Sequence, residues 1–317
     1  VWSSLAKALR FRTLSLPQAG VPVDVMPALS RFSLLGGTLF FCMSVLPAPA
    51  AGPPVICLFT DYGWEDPYVA QLKGAIVTIN PSARLLDLTH TVAPFNVTEG
   101  AYLLDECAEE FPAGTIFVAV VDPQVGTERD AILVESAKQK FYVGPDNGLL
   151  AQVVHREGLL KAWKLDKPEA YRNGDVSHTF HGRDIFGPVA ARLSAGEDPD
   201  RLGTPLKSLA LVSTREPSFS GGMISTEVLH VDHYGNVILN FRSDSDLAAK
   251  FHEGTLTKIS VGRDSYSAPL VNTYGDVAEG RLMLLYGSGG QLEIALNQGS
   301  AAKKMRVEPG ATVLLKP

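Results

Sequence analysis

Thr115-Ile116-Phe117-Val118-Ala119-Val120-Val121-Asp122-Pro123-Gln124-Val125-Gly126-Thr127-Glu128-Arg129 is an apolar run that ends in a carboxylate, a Pro/Gly turn and, seven residues after the carboxylate, a guanidinium. Seven consecutive residues without a charge, rich in Val and Ile, predict a strand buried on both faces rather than an alternating surface strand. In open α/β sheets ligands bind outside the carboxyl ends of the strands, so Asp122 falls at a position suited to a site. Taken alone, Asp122 to Arg129 reads equally as an Asp-Pro turn followed by a surface arginine.

The chain on either side decides the fold class. Upstream, residues 55–60 form another continuous apolar run, with Asp61-Tyr62-Gly63 at its carboxyl end. Asp66-Pro67 predicts a helix with an Asp cap and Pro at its first position, carrying Val69, Leu72, Ile76 and Ile79 inward and ended by Asn80-Pro81. A strand over 84–89 and a helix over 97–111, with Ala101, Leu104, Cys107 and Ala108 inward, lead into the 115–121 strand. Strand–helix–strand–helix–strand at this spacing predicts a Rossmann-like, mostly parallel sheet. No G-x-G-x-x-G follows the first strand, so the dinucleotide fingerprint is missing. Downstream, 131–136 and 140–143 predict a hairpin, Pro145-Asp146-Asn147-Gly148 a turn into a short helix over 149–155, and 156–177 a polar loop. His178-Thr179-Phe180-His181-Gly182-Arg183-Asp184 then opens a helix with Phe186, Val189, Ala190 and Leu193 on its apolar face. After a Pro/Ser/Gly linker at 216–222, short alternating runs separated by Gly-rich turns predict a small all-β barrel. The expected division is a leader over 1–50, an α/β domain over 51–217 and a β-barrel domain over 218–317.

Of the 317 residues, 45% are hydrophobic and 20% charged, enough to bury a sizeable core. Residues 1–50 carry Lys7, Arg10, Arg12 and Arg31 against Asp24, which leaves 24 basic and 33 acidic groups in the rest, a net of −9. Such a body has no general attraction for phosphate backbones, and nucleic acid is not an expected partner. Arg31 precedes the uncharged stretch 32–46, and Pro47-Ala48-Pro49-Ala50 offers the A-x-A pattern of a cleavage site. This reads as an export signal and predicts a periplasmic or exported protein; an over-extended start of a cytoplasmic protein is the alternative. No later segment is long and apolar enough to predict a membrane span. Of the three cysteines, Cys42 lies in the leader, while Cys57 and Cys107 read as buried free thiols, with a disulfide between them as the alternative in an exported protein. His178-x-x-His181 has no cysteine cluster or H-E-x-x-H beside it, so no metal site is expected.

Seven motifs occur in the order of one family: Thr60-Asp61-Tyr62-Gly63, Asp87-Leu88-Thr89-His90, Asp122-Pro123-Gln124-Val125-Gly126-Thr127-Glu128-Arg129, Pro145-Asp146-Asn147-Gly148, His181-Gly182-Arg183-Asp184-Ile185-Phe186, Asp232-His233-Tyr234-Gly235-Asn236-Val237, and Gly287-Ser288-Gly289-Gly290-Gln291-Leu292-Glu293-Ile294-Ala295. With them the chain resembles the S-adenosyl-L-methionine (SAM) hydroxide adenosyltransferases, relatives of the bacterial fluorinase and chlorinase. The resemblance covers roughly 55–317. It implies a Rossmann-like domain followed by a β-barrel domain, a homotrimer with SAM between the N-terminal domain of one subunit and the C-terminal domain of the next, and hydrolysis of SAM to adenosine and L-methionine without a cofactor. By the same resemblance the water-holding triad falls on Asp122, Arg129 and His181. Asp61 would grip the ribose hydroxyls, Phe95 the sugar–methionine region, Asp232 the methionine ammonium, Tyr234 and Asn236 the adenine, and Ser288 the methionine carboxylate. Gln124 departs from the family's usual Gly. If that position needs a positive φ, Gln costs about 1 kcal/mol or more and shifts the turn.

The residue types suit this chemistry on their own account. Attack at C5′ of a sulfonium expels a neutral thioether and needs no acid, so positioning of a poor nucleophile in a dry pocket carries the rate. Asp122 can accept a water hydrogen, Arg129 can hold that carboxylate through charge-assisted bonds, and His181 can orient the water or relay its proton. A carboxylate at the nucleophile position disfavours a halide, which ranks a halide-using transferase second. A SAM- or adenosine-binding module without turnover and a metallohydrolase using Asp122 and His181 are the other readings.

Overall fold

In a computed structural model of the chain, which describes residues 54–173, 175–210 and 216–317, residues 115–121 are buried without a break, and the side chains of 116–121 alternate between two cores. Ile116, Val118 and Val120 enter one core with Ile56, Leu58, Leu72, Ile76 and Val189, whereas Phe117, Ala119 and Val121 enter a second with Cys57, Phe59, Leu104, Ala108 and Val153. A strand with a core on each side has no polar face, which is why this run carries no charge.

The first sheet is built from β1 (Val55–Thr60), β2 (Arg84–Thr89), β3 (Ile116–Val120), β4 (Ala131–Ser136), β5 (Phe141–Pro145), β6 (Leu159–Lys164) and β7 (Thr204–Pro205), in the order β2-β1-β3-β5-β4-β6-β7. β1 pairs parallel with β2 and β3, and β3 parallel with β5, while β4, β6 and β7 add antiparallel strands. Helices α1 (Tyr68–Ile79), α2 (Val97–Glu109), α3 (Ala151–Glu157), α4 (Gly187–Ser194) and α5 (Pro199–Leu202) complete this half. The parallel core is as predicted; the sheet as a whole is mixed. Strand β6 lies inside the stretch predicted as a polar loop, because Lys161 and Lys164 and an exposed Leu159 mask its pairing with β4. The α1 start also differs: Pro67 occupies the N-cap position, and no side chain caps the helix. The predicted helix after His181 begins instead as a π-helical turn, Gly182–Phe186, that runs into α4.

The second sheet contains β8 (Ser218–Ser220), β9 (Met223–Val231), β10 (Val237–Arg242), β11 (Leu256–Val261), β12 (Asp264–Pro269), β13 (Leu282–Tyr286), β14 (Gln291–Leu296) and β15 (Thr312–Lys316), with α6 (Ala301–Met305) between the last two. Its path is β12-β11-β15-β9-β10-β14-β13, with β8 on β9, and all named pairs are antiparallel. The Val271 amide bonds the Leu284 carbonyl at 2.9 Å, bringing the two ends of the path together into a nearly closed barrel. The predicted linker at 216–222 contributes β8. Strand β12, Asp-Ser-Tyr-Ser-Ala-Pro, has too little apolar content to be legible as a strand.

The two sheets meet through α2 and β9. His230 and the buried Glu99 bond at 2.6 Å, and Tyr102 packs with Leu229 and Ile238. Cys57 and Cys107 are both free thiols, and burial pushes the Cys57 thiol up to about 12. The leader expected at 1–50, with Cys42, lies outside the described residues.

Candidate active site

At the carboxyl ends of β1 and β3 the sequence motifs interlock. The Thr60 hydroxyl and the His90 ring Nδ1 share a hydrogen bond of 2.8 Å, the Tyr62 amide donates to the same hydroxyl at 3.2 Å, and the Gly63 amide donates to the His90 carbonyl at 2.7 Å. His90 Nε2 meets Asp87 Oδ1 at 3.1 Å, and Lys73 donates to Asp87 Oδ2 at 2.6 Å. Thr60-Asp61-Tyr62-Gly63 and Asp87-Leu88-Thr89-His90 are thus halves of one scaffold that fixes the backbone on both sides of Asp61. The Asp61 carboxylate accepts the Phe95 amide at 3.0 Å, and Phe95 takes a left-handed φ of 67° to offer it. Burial raises the Asp61 carboxyl pKa, the amide bond from Phe95 opposes that, and the nearby Asp122 charge adds to it.

Asp122 leaves the end of β3 and meets Arg129 in a two-pronged pair. Arg129 Nε donates to Oδ1 at 3.2 Å and Nη2 donates to Oδ2, with both side chains at most 4% exposed. Arg129 Nη2 also donates to His181 Nδ1 at 3.1 Å, and Nη1 donates to the Asp130 carbonyl at 2.8 Å. An arginine only donates, so His181 Nδ1 must carry the lone pair and the ring proton sits on Nε2. Burial and the adjacent guanidinium both lower the His181 pKa, which favours this neutral form. The Phe186 ring lies beneath, 5.6 Å from the Arg129 guanidinium carbon and in edge contact with His181.

Two glycines permit the approach of these segments. Gly126 takes φ 78°, and a Cβ there would lie 2.1 Å from the His178 carbonyl oxygen, so the 122–129 turn rests directly on the loop that carries His181. A Cβ on Gly182 would come within 2.2 Å of the Tyr62 hydroxyl. Positive φ falls on Gly126 and not on Gln124, whose exposed side chain sits on an ordinary turn with its carbonyl accepting from the Thr127 amide and hydroxyl. The strain anticipated at Gln124 is therefore absent. Asn147 supports the same turn by donating to the Val121 carbonyl at 2.9 Å.

These groups open onto a cavity of 240 Å³ whose walls include Asp61, Tyr62, Tyr68, Phe95, Asp122 and His181. Arg129 stands behind Asp122 and is not part of the wall. Tyr62, Tyr68 and Phe180, joined by edge-to-face contacts of 5.5–6.1 Å, form an aromatic side of the cavity that motif reading had not singled out. The only sequence signal for it was proximity to Asp61 and His181. Among the described residues no group of three or more His, Cys, Asp and Glu is arranged to hold a metal.

Asp232, Tyr234, Asn236 and Ser288 are elsewhere. Asp232 and Asn236 tie the β9–β10 turn together: the Asn236 amide donates to Oδ1 at 2.8 Å and its side-chain nitrogen donates to Oδ2 at 2.9 Å. Tyr234 projects from the tip of that turn, 77% exposed, and Ser288 is exposed on the β13–β14 turn. None of the four borders the cavity. On the first half, Phe95 is likewise 72% exposed.

Comparison with known proteins agrees with both halves of this architecture. The SAM hydroxide adenosyltransferase N-terminal domain matches residues 56–203, and the C-terminal domain of the same family matches 226–314. The chain is similar to an "(R)-S-adenosyl-L-methionine hydrolase" of Salinispora tropica, 39% identical over 82% of this chain and 97% of that protein. A protein of the same name from Thermus thermophilus is 34% identical over 82% and 98%, and a "Fluorinase" of an Actinoplanes species 28% identical over 84% and 98%. The crystal structure of a conserved Thermotoga maritima protein superposes with a TM-score of 0.78 at 36% identity, covering 83% of this chain and all of that one. By sequence, by domain order and by fold, the chain belongs to the SAM hydroxide adenosyltransferase family.

Proposed function

We propose that this protein hydrolyses SAM to adenosine and L-methionine by attack of water at C5′ of the ribose. The observation that carries the reading is the Asp122–Arg129–His181 cluster in the cavity that also presents Asp61. Arg129 occupies one lone pair on each Asp122 oxygen and leaves others for a water hydrogen. His181, with its proton on Nε2, can donate to the same water or take part in passing on its proton. The water oxygen forms the new bond to C5′, the C5′–S bond breaks, and its electron pair leaves on sulfur as the neutral thioether of methionine. The proton lost from water goes to solvent through the cluster. Asp61, on the wall of the same cavity, would hold the ribose hydroxyls, and the aromatic side of the cavity would keep water from the reacting centre. No metal or organic cofactor enters this scheme, so EDTA is expected to leave the activity intact.

We further propose a homotrimer in which Asp232, Tyr234, Asn236 and Ser288 of a neighbouring copy close the cavity. Their absence from the cavity wall within one chain, and the exposure of Phe95 and Tyr234, support this. The domain boundary at 217/218 and export directed by residues 1–50 stand as proposals from the sequence; N-terminal sequencing of the mature protein tests the latter. A halide-using reaction ranks second because the Asp122 carboxylate faces the cavity. The deciding experiment incubates the full chain with SAM, with and without chloride, and separates the products. Adenosine with methionine supports the reading. Chlorinated nucleoside as the main product, or SAM binding without any product, refutes it.

A further inference from the structure

A second cavity, of 420 Å³, lies on the other side of the His181–Asp184 segment, between α1 and the chain at 171–173. Three guanidiniums line it: Arg172, Arg183 and Arg192. Arg183 is fixed by Asp184, with Nε donating to Oδ1 at 2.7 Å and Nη2 to Oδ2 at 2.8 Å, and by stacking over Phe180 at 5.0 Å. Its Nη1 donates to Gln71 at 3.3 Å. Arg172 reaches Asp184 Oδ1 at 3.4 Å, and Arg192 donates to the Ala170 carbonyl at 3.2 Å and to Glu197 at 3.5 Å. Five donors per guanidinium make fifteen, and these contacts occupy six of them.

The acidic groups present do not complete the site. Asp184 is fully buried, and its oxygens are taken up by the two arginines and the Ser177 amide at 2.9 Å. Glu197 pairs with Arg192 alone in this cluster, at 3.5 Å. Three guanidiniums thus line a concave space whose wall includes neither Asp184 nor Glu197. Arg183 and Arg192 side chains are only 25% and 27% exposed, so they are held by the fold rather than free in solvent. Ala75, Ile79 and Tyr171 supply an apolar wall, and Thr78 and Asn173 add polar groups.

We propose that this cavity binds a phosphate monoester, with the phosphoryl group held by Arg172, Arg183 and Arg192. Forked guanidinium donors match phosphate oxygens bidentately, and a pocket above about 300 Å³ accommodates more than the phosphoryl group alone. The organic part would rest on the Ala75–Ile79–Tyr171 wall. The site is distinct from the Asp122 cavity and does not depend on SAM hydrolysis.

The test is calorimetric titration of the full chain at low ionic strength with inorganic phosphate, ribose 5-phosphate and uncharged ribose. Ribose 5-phosphate should bind at least tenfold more tightly than inorganic phosphate, and ribose should give no signal. Arg172→Ala, at the most exposed of the three positions, and Arg172→Ala/Arg192→Ala should weaken ribose 5-phosphate at least fivefold and fiftyfold, with unchanged circular dichroism. Asp61→Asn, in the other cavity, should titrate like the parent. Absence of binding at millimolar ribose 5-phosphate, parental affinity in Arg172→Ala, or loss of binding in Asp61→Asn would overturn the proposal.

Discussion

Replacing Arg129 by Met removes a group that makes four hydrogen bonds: two to Asp122, one to His181 Nδ1 and one to the Asp130 carbonyl. The Asp122 side chain is 4% exposed, so the substitution strands a carboxylate in a site with little water. Breaking a buried charge pair from one side costs about 3–5 kcal/mol, most of it the penalty on the charge left behind. Removing the charge from both sides should cost much less, because no uncompensated ion remains. A double-mutant cycle with Arg129→Met, Asp122→Asn and both together, followed by urea unfolding, reads the coupling directly. The coupling should reach about 2 kcal/mol, with the double variant more stable than the sum of the single losses predicts. If the two single losses add to within about 0.5 kcal/mol, the pair is not a buried interlocked unit, and the basis for its role in holding water is gone.

Four further outcomes follow from the same geometry. Asp122→Ala should lower adenosine release by at least about 100-fold, the lower range for loss of a proton acceptor, while calorimetry still detects SAM binding. His181 must keep Nδ1 unprotonated to accept from Arg129, and its folded pKa is lowered from 6.5, so the interaction is complete above pH 6.5 and is lost as pH falls through the lowered value. A rate profile flat from pH 8 to 6.5 and falling only as pH passes through the lowered value is expected, and a rate that rises on acidification would contradict the assignment. Gly126→Ala adds a left-handed penalty of about 1–2 kcal/mol to a collision with the His178 carbonyl, and thermal melting should show a lower Tm together with reduced turnover. Gln124→Gly should leave turnover within about twofold, since Gln124 has ordinary backbone geometry; a larger change would mean that its side chain acts on the cavity.

Much of the site was legible before the fold was known. Asp61 and Asp122 could be placed at strand ends because continuous apolar runs stop abruptly at each, and the chemistry of those positions follows from sheet architecture. The aromatic side of Tyr62, Tyr68 and Phe180 was not legible, because residues more than a hundred positions apart meet there only after the His178–Asp184 loop folds over α1. Strand β6 was missed for a related reason: its lysines read as solvent-exposed loop until pairing with β4 supplies partners for its backbone.

By itself the sequence determined the parallel core of the first sheet, the change to an all-β second half, and the position of Asp122 at a strand end, while its grouping with Arg129 and His181 came from the family resemblance. Local periodicity and strand-end chemistry are short-range properties, and they survive in a linear reading. Only the tertiary structure decided that Arg129 bridges Asp122 and His181 at once, that Gly126 rather than Gln124 bears the turn's left-handed residue, and that Asp232, Tyr234, Asn236 and Ser288 lie away from the cavity within one chain. Each depends on contacts between segments far apart in the chain, whose closure follows from packing rather than from any local preference.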